Sequence, residues 1–303
     1  MPTPLSIFEG IVLPTLLVAI GIVVAQRPWK RAANADPRWI AAPLLCLAFE
    51  IAYLVFHPDR PSFPPGTGDI YFWVFYAAIG IGFLGFLDGV FRPPLWLRAV
   101  TLLMLWRLLV RTMLSRQIPD QITQNAAEFW IDVAGLILLI WFLSLELISR
   151  SVVGSAVPLV LAILACGSAV TLFTWHLIAS SSLAIALAAF CFAIAVLSRW
   201  CRVNHANGAS FAVVLLLQLL FIHGYFYSPD TFIPTDNLRT AILMASPLLI
   251  FAGDLPGIRQ ARPHWRLAAR VLPLLLIVAI VAGLNVRSYA EAEKRSHATE
   301  LEQ

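Results

Sequence analysis

Residues 178–199 read IASSSLAIALAAFCFAIAVLSR, an apolar run that carries no charged residue until Arg199 at its end. A helix rises 1.5 Å per residue, so about 20 such residues cross the ~30 Å hydrocarbon core of a bilayer. The run does not alternate between apolar and polar residues with a period of two, as a membrane-spanning β-strand does. The pattern therefore predicts a membrane-spanning α-helix.

The same kind of run recurs along the whole chain of 303 residues. Hydrophobic residues make up 60% of the chain and charged residues 13%, whereas a soluble domain carries about 25% charged residues. Backbone polar groups find no water in the bilayer core, so only helices and closed barrels cross it. We therefore predict an all-α integral membrane protein with about ten transmembrane helices. The predicted spans are residues 7–26, 39–57, 70–91, 95–115, 129–149, 153–174, 178–199, 209–227, 238–254 and 266–287.

Basic residues alternate between the connections that join these spans. The odd-numbered connections hold most of them, including Lys30 and Arg31 in the first and Arg202 in the seventh. The even-numbered connections hold mainly acidic residues, such as Asp120 and Asp230. By the positive-inside rule, the odd connections are cytoplasmic and both termini lie outside.

The first apolar run is predicted to be a retained span. A signal peptide begins with a positive segment, but no basic residue precedes this run and Glu9 lies inside it. The formal net charge of +4 is attributed to membrane topology and does not indicate nucleic-acid binding. We expect a multi-pass protein of a cell membrane, namely the bacterial inner membrane.

Two parts of the chain resemble each other. Pro58-Asp59 recurs as Pro229-Asp230, and Asp88 followed by Trp96 recurs as Asp254 followed by Trp265. The offsets between such pairs stay between 166 and 173 residues. Spans 1–4 then repeat as spans 7–10, related by an axis along the membrane normal, as in some transporters. The alternative is that Arg, Trp and Pro recur at the membrane interfaces of any such protein.

The predicted organisation is a single membrane domain with three parts. A first four-helix unit covers residues 1–116, and a connecting helix pair covers 117–178. A second four-helix unit covers 179–303 and ends in a short C-terminal tail.

Charged residues in the outer half of the spans form the candidate site. Charges inside spans are costly in lipid, so they mark pathways, binding sites or internal ion pairs. Arg107 and Arg111 stand one turn apart on one face of the fourth span, and Glu128 and Asp132 do the same at the start of the fifth. We expect both arginines to face the protein interior, with Glu50 or Asp132 as their nearest acids.

The second and eighth spans supply further polar residues at a similar depth. Glu50, Tyr53 and His57 share one face of the second span, and His223 lies about one turn below the outer boundary in the eighth. The candidate ligand-binding residues are Glu50, Tyr53, His57, Arg107, Arg111, Asp132 and His223.

Two interpretations of this cluster stay open. In the first, the arginines and carboxylates are structural ion pairs that are costly to break singly. In the second, the arginines receive a small anionic or polar solute, because the guanidinium group suits carboxylate and phosphate. Other charges near cytoplasmic span ends, at Asp88, Asp254 and Glu146, are interpreted as surface-level pairs that anchor helix ends.

No metal or cofactor is predicted. The four cysteines show no CxxC or other metal spacing, and the histidines form no HExxH motif. Lone histidines near an interface are usually structural, and small buried thiols are the ordinary interpretation of such cysteines.

Three classes of function remain. A small-solute or ion transporter is favoured by ten spans and the repeat, although only 16 residues are glycine. A non-catalytic membrane subunit or assembly partner is favoured by short connections and the lack of catalytic motifs. A membrane enzyme that acts on a lipid or quinone headgroup is the third class, and nothing in the sequence is diagnostic of it.

Overall fold

The computed structural model describes residues 3–26, 39–57, 61, 70–91, 93–114, 124–151, 156–198, 209–227, 234–260 and 262–301. Within these ranges all regular structure is helical, which confirms the all-α part of the prediction. Five of the described helices are long and apolar enough to cross a membrane, in agreement with a helical membrane protein.

The helices are numbered in chain order. The first, α1, comprises Pro4–Ile7, a π-helical stretch Phe8–Val12 and Leu13–Gln26. It is followed by α2 (Ala41–Phe56), α3 (Ile70–Phe91), α4 (Leu95–Leu114), α5 (Gln124–Ser151), α6 (Ala156–Thr174), α7 (Ile178–Leu197) and α8 (Ala209–Tyr227). Next, α9 (Pro234–Ala245) continues as a 3₁₀ helix, Ser246–Asp254, and a short helix, Pro256–Arg259. The last helix is α10 (Pro263–Leu301).

These helices coincide with the predicted spans in order, but they differ in their ability to cross a membrane. The five helices that qualify by length and composition are Pro4–Ala25 in α1, Phe72–Phe91 in α3, α6, α7, and His264–Glu291 in α10. Two others, α2 and Ala209–Ile222 of α8, are apolar but shorter. The sequence of α4 contains Arg98, Arg107 and Arg111, which reduce its hydropathy.

The centre of the bundle is α8. Every residue from 209 to 222 is buried, and α8 contacts each helix from α2 to α7. A helix that is apolar all round must be covered on all sides, and the successive residues Leu215, Leu216 and Leu217 are each 0% exposed. The middle of the described bundle is therefore filled by side chains.

The other helices are arranged around this centre. On one side α10 packs on α6 and on the 3₁₀ helix, and α1 packs on α2 and α7. On another side α4 packs on α3, α5 and α8. The pair α4–α5 therefore has a second face that no other described helix covers.

Two helices depart from regular α geometry. The ninth predicted span is an α-helix for its first half only, and from Ser246 it is a nine-residue 3₁₀ helix, although such runs seldom exceed 3–4 residues. Pro247 lies at its start and has no N–H to donate to an α-helical hydrogen bond. In the π-helical stretch of α1, Gly10 lies against α2, where a Cβ atom would come within 2.6 Å of the Phe56 ring.

The last helix is longer than a span requires. With 39 residues, α10 extends for about 58 Å, roughly twice the hydrocarbon thickness. The predicted short C-terminal tail after residue 287 continues the helix to Leu301.

The two predicted four-helix units differ in their internal packing. In the first unit, its second and third helices, α2 and α3, pack extensively along each other. The corresponding pair in the second unit is α8 and α9 with its 3₁₀ continuation, and among the described residues this pair makes at most marginal contact. The boundary between residues 116 and 117 lies outside the described residues, and the boundary after residue 178 falls at the start of α7.

Candidate functional site

The charged cluster of Arg107, Glu128 and Asp132 lies between α4 and α5, which run antiparallel. The Arg107 Nη2 atom donates to Glu128 Oε2 at 2.8 Å, and Arg107 Nη1 lies 3.6 Å from Asp132 Oδ1. Below them, Trp106 Nε1 donates to the backbone oxygen of Ile131 at 3.1 Å. Gly135 makes room for this indole, because a Cβ atom there would lie 3.1 Å from the Trp106 ring. These contacts fix the register in which the charges meet.

This cluster faces outward from the bundle. The side chain of Arg107 is 55% exposed and that of Asp132 is 65% exposed, and Arg111 is exposed as well. The prediction that both arginines face the interior is therefore wrong. The nearest acid of Arg107 is Glu128, at a shorter distance than the predicted Asp132. The reason is that α4 uses its opposite face to contact α3 and α8.

The predicted residues on α2 form a separate group. Tyr53 is buried and stacks on His57 with ring centroids 4.8 Å apart and an angle of 6° between the ring planes. Glu50 is half-buried, and the described residues contain no ion pair between it and Arg107. The helices α2 and α4 do not pack along each other in the described part of the chain. The structure therefore does not bring the α2 group and the α4–α5 group together.

The eighth span carries one of the predicted site residues, His223. The side chain of His223 lies outside the described residues. One turn and a half earlier on α8, Gln218 is buried, and its Nε2 atom lies 3.3 Å from the Met244 sulfur, to which it donates.

A second charged cluster, which we call the buried triad, lies at the other end of the same helices. It consists of Asp88 on α3, Arg98 on α4 and Glu146 on α5. Arg98 Nε lies 2.7 Å from Asp88 Oδ1, and Arg98 Nη1 lies 2.6 Å from Glu146 Oε1. The Arg98 guanidinium also lies over the Phe142 ring, 5.2 Å from its centroid. The side chain of Arg98 is only 4% exposed and that of Glu146 only 2%.

The interpretation of Asp88 and Glu146 as members of surface-level pairs is therefore wrong. Each lies within a few residues of a helix end. A position near a helix end does not by itself place a side chain at the surface of the bundle. The signal that sequence analysis missed is that three consecutive helices each bring one charge to the same end of the bundle. Oppositely charged groups at one level of neighbouring helices are the arrangement expected of an internal ion network.

The fold contains a related pair further along the chain. Arg270 Nη2 donates to Asp254 Oδ1 at 2.7 Å, and Arg270 is 3% exposed while Asp254 is 40% exposed. The guanidinium crosses the backbone at Gly253, where a Cβ atom would lie 2.4 Å from Arg270 Cγ. As in the pair of Asp88 with Arg98, the aspartate lies at or near the end of the third helix of a predicted unit, and the arginine lies in the first two turns of the fourth.

A cavity of about 160 Å³, about half open at the surface of the bundle, adjoins the buried triad. Asp88, Arg98 and Thr101 are its polar lining, and apolar residues such as Phe91 and Phe211 form the rest. Engineered apolar cavities of about 150 Å³ accept a molecule the size of benzene. The cavity therefore has the volume of a small molecule, and its accessible lining is mainly apolar.

The described residues contain no group of three His, Cys, Asp or Glu side chains placed to hold a metal ion. Of the cysteines described, Cys46 and Cys191 are buried and Cys166 is exposed. The chain matches no protein-family model, no curated protein and no solved structure. The function must therefore be argued from the charged clusters themselves.

Proposed function

We propose that this chain is a non-catalytic membrane subunit, and that protein covers the outer face of α4–α5 in the bilayer. The observation that carries the proposal is the exposed cluster of Arg107 with Glu128 and Asp132. Its charges point away from the bundle at a level of α4 where lipid alone is a poor environment.

The depth of the cluster follows from the helix that carries it. Arg107 is twelve residues after Leu95, which places it ~18 Å from the start of α4 and leaves ~12 Å of a ~30 Å hydrocarbon core beyond it. An arginine or aspartate at the centre of a span costs about 2.5–3.5 kcal/mol on insertion. Pairing of Arg107 with Glu128 lowers this cost only in part, because both Arg107 and Asp132 stay more than half exposed. A neighbouring protein that pairs with these charged groups removes the rest of the insertion cost.

This depth assumes the proposed topology. We propose ten spans, α1 to α10, with both termini outside and the α3–α4 connection in the cytoplasm of a bacterial cell. The support is the alternation of basic residues between connections.

The duplication of spans 1–4 as spans 7–10 stays a prediction. The matched Asp–Arg pairs favour it, and the different packing of the two units weighs against it.

Labelling from the lipid phase tests the subunit proposal. In a variant without native cysteines, Leu108→Cys reports on the α4–α5 face and Leu276→Cys on α10. Both leucines are well exposed, 65% and 60%, and both lie thirteen residues into their helices. A lipid-soluble maleimide should label Leu108→Cys several-fold less than Leu276→Cys in native membranes. The difference should disappear when detergent separates the chain from the protein that covers this face. Equal labelling in native membranes would show that lipid covers the face.

A small-solute carrier is the second candidate, and the cavity beside Asp88 and Arg98 favours it. The nine-residue 3₁₀ helix in the ninth span is a further feature of interrupted transporter helices. Proteoliposomes loaded with a pH-sensitive dye would report proton-coupled flux, and Thr101→Trp, which fills the cavity, should abolish it. Flux that persists in this variant would exclude a route through the cavity. A membrane enzyme stays a prediction that no described contact favours.

A further inference from the structure

The charges on the outer α4–α5 face are sorted by helix. Arg107 and Arg111 lie on α4, and Glu128 and Asp132 lie on α5. Because the two helices are antiparallel, the direction from Arg107 to Arg111 is the direction from Asp132 to Glu128. A basic column therefore stands beside an acidic column, and the two overlap in depth where Arg107 meets Glu128 and Asp132.

Pairing among the described residues of one chain leaves these columns partly unused. Arg107 makes one close contact, to Glu128, while its distance to Asp132 is 3.6 Å. Arg111 is exposed and enters no ion pair with any residue that the structure describes. A guanidinium has five N–H donors and a carboxylate has about four acceptor positions. The face can therefore accept a second set of charges arranged in the opposite order.

A second copy of the chain presents such a set by symmetry. A two-fold axis along the membrane normal keeps every residue at its own depth and brings the same patch of both copies together. The α4 column of one copy then faces the α5 column of the other, with Arg107 at the level of Glu128 and Asp132, the two acids that it meets within its own chain. A lipid phosphate would match the arginines but would be repelled by the adjacent acids.

We infer that two copies of this chain associate through their outer α4–α5 faces, around a two-fold axis along the membrane normal. The charged columns pair between copies, and the apolar side chains around them pack in the contact. The largest of these are Met104, Leu108, Phe129 and Leu136, which are between 57% and 68% exposed. The inference rests on the proposed function, since both assign this face to a protein contact, and it names the partner.

The first test uses the chain with its charges unchanged. Purified in a mild detergent, it should have the protein mass of two chains. In the cysteine-free background, a short bis-maleimide should cross-link Leu108→Cys to a dimer, about tenfold more than Leu276→Cys at equal protein concentration. A monomer mass together with equal cross-linking at the two positions would overturn the inference.

The second test separates contacts between copies from contacts within one chain. One variant has an acidic face, Arg107→Glu with Arg111→Glu, and the other has a basic face, Glu128→Arg with Asp132→Arg. Each variant alone should associate at least about tenfold more weakly than the wild type, because like charges then face each other. Differently tagged copies of the two variants, expressed together, should associate with each other, since every cross-copy pair is again opposite in charge. If the mixed pair associates no more tightly than either variant alone, the proposed charge pairing between copies is wrong.

The two proposals fail in different ways. A monomeric chain whose Leu108→Cys is still protected in native membranes refutes the dimer and keeps the subunit proposal, with a different protein as partner. A monomeric chain whose Leu108→Cys is freely labelled in native membranes refutes both. If the charge variants do not fold, the wild-type mass and the Leu108→Cys cross-link still decide the question.

Discussion

Arg98 and Arg107 show how much the surroundings of one residue type differ along a single helix. Both lie on α4 and both pair with acids of α5. Arg98 is 4% exposed and packs over Phe142, whereas Arg107 is 55% exposed. Removing one partner of a buried ion pair leaves the other charge without compensation, while an exposed pair contributes little.

Single replacements should therefore have unequal effects on stability. Arg98→Met should lower the free energy of unfolding by about 3–5 kcal/mol, because it leaves Asp88 and Glu146 close together. The matched change Arg107→Met should lower it by less than about 1 kcal/mol. Replacing Asp88, Arg98 and Glu146 together by leucine, methionine and leucine should recover most of the loss. Thermal unfolding in one detergent measures the stability of all three variants. Equal losses in Arg98→Met and Arg107→Met would contradict the finding that Arg98 is buried and Arg107 is exposed.

Some of these contacts are predictable from the sequence and others are not. The spacing of Glu128 and Asp132 predicted that acids of the fifth span meet the arginines of the fourth, and Arg107 does contact both. The exposure of Arg107 was not predictable from that spacing, because it depends on which face of α4 meets α3 and α8. The burial of Arg98 depends in the same way on neighbours that are distant in the sequence, above all Glu146.

At the scale of helices, small residues determine how closely two elements approach. Gly135 of α5 lies directly against the Trp106 ring of α4, and the Trp106 indole donates to Ile131. By contrast, a Cβ atom added at Gly80 of α3 would meet nothing within 4 Å. The two positions therefore distinguish a packing requirement from a tolerated glycine.

The corresponding prediction compares two glycine replacements. Gly135→Val should cost about 1–3 kcal/mol, since it forces Trp106 away from α5 and strains the Trp106–Ile131 hydrogen bond. Gly80→Ala should be neutral or should stabilise by up to about 1 kcal/mol, because alanine is the better helix former. Unfolding midpoints in detergent, with Trp fluorescence as the signal, would test this. An equal loss in both variants would mean that Gly135 has no special packing role.

Helix positions were predictable because the apolar runs are long, but helix type and helix length were not. The 3₁₀ geometry that begins at Ser246 has no distinct apolar period, and Pro247 alone does not specify it. The extension of α10 beyond residue 287 lacks an apolar face, so hydropathy marks the end of the span and not the end of the helix.

For the whole molecule, the proposed topology gives a test that is independent of any contact. Single cysteines at Ser62 and Asn237 should react with a membrane-impermeant maleimide added to intact cells. Cysteines at Asn34 and Gln260 should react only after the cells are opened, because the positive-inside rule assigns their connections to the cytoplasm. Labelling of Asn34→Cys from outside would reverse the orientation.

The central position of α8 has a consequence for how such a molecule is made. This helix is the eighth to leave the ribosome, yet its buried surface is provided by helices α2 to α7, which are synthesised before it. Until residues 209–222 have been synthesised, the surfaces that these six helices bury against α8 have no contact with it. Closure of the bundle is therefore a late event in biosynthesis. A chain that stops before residue 209 lacks the helix that the others pack around.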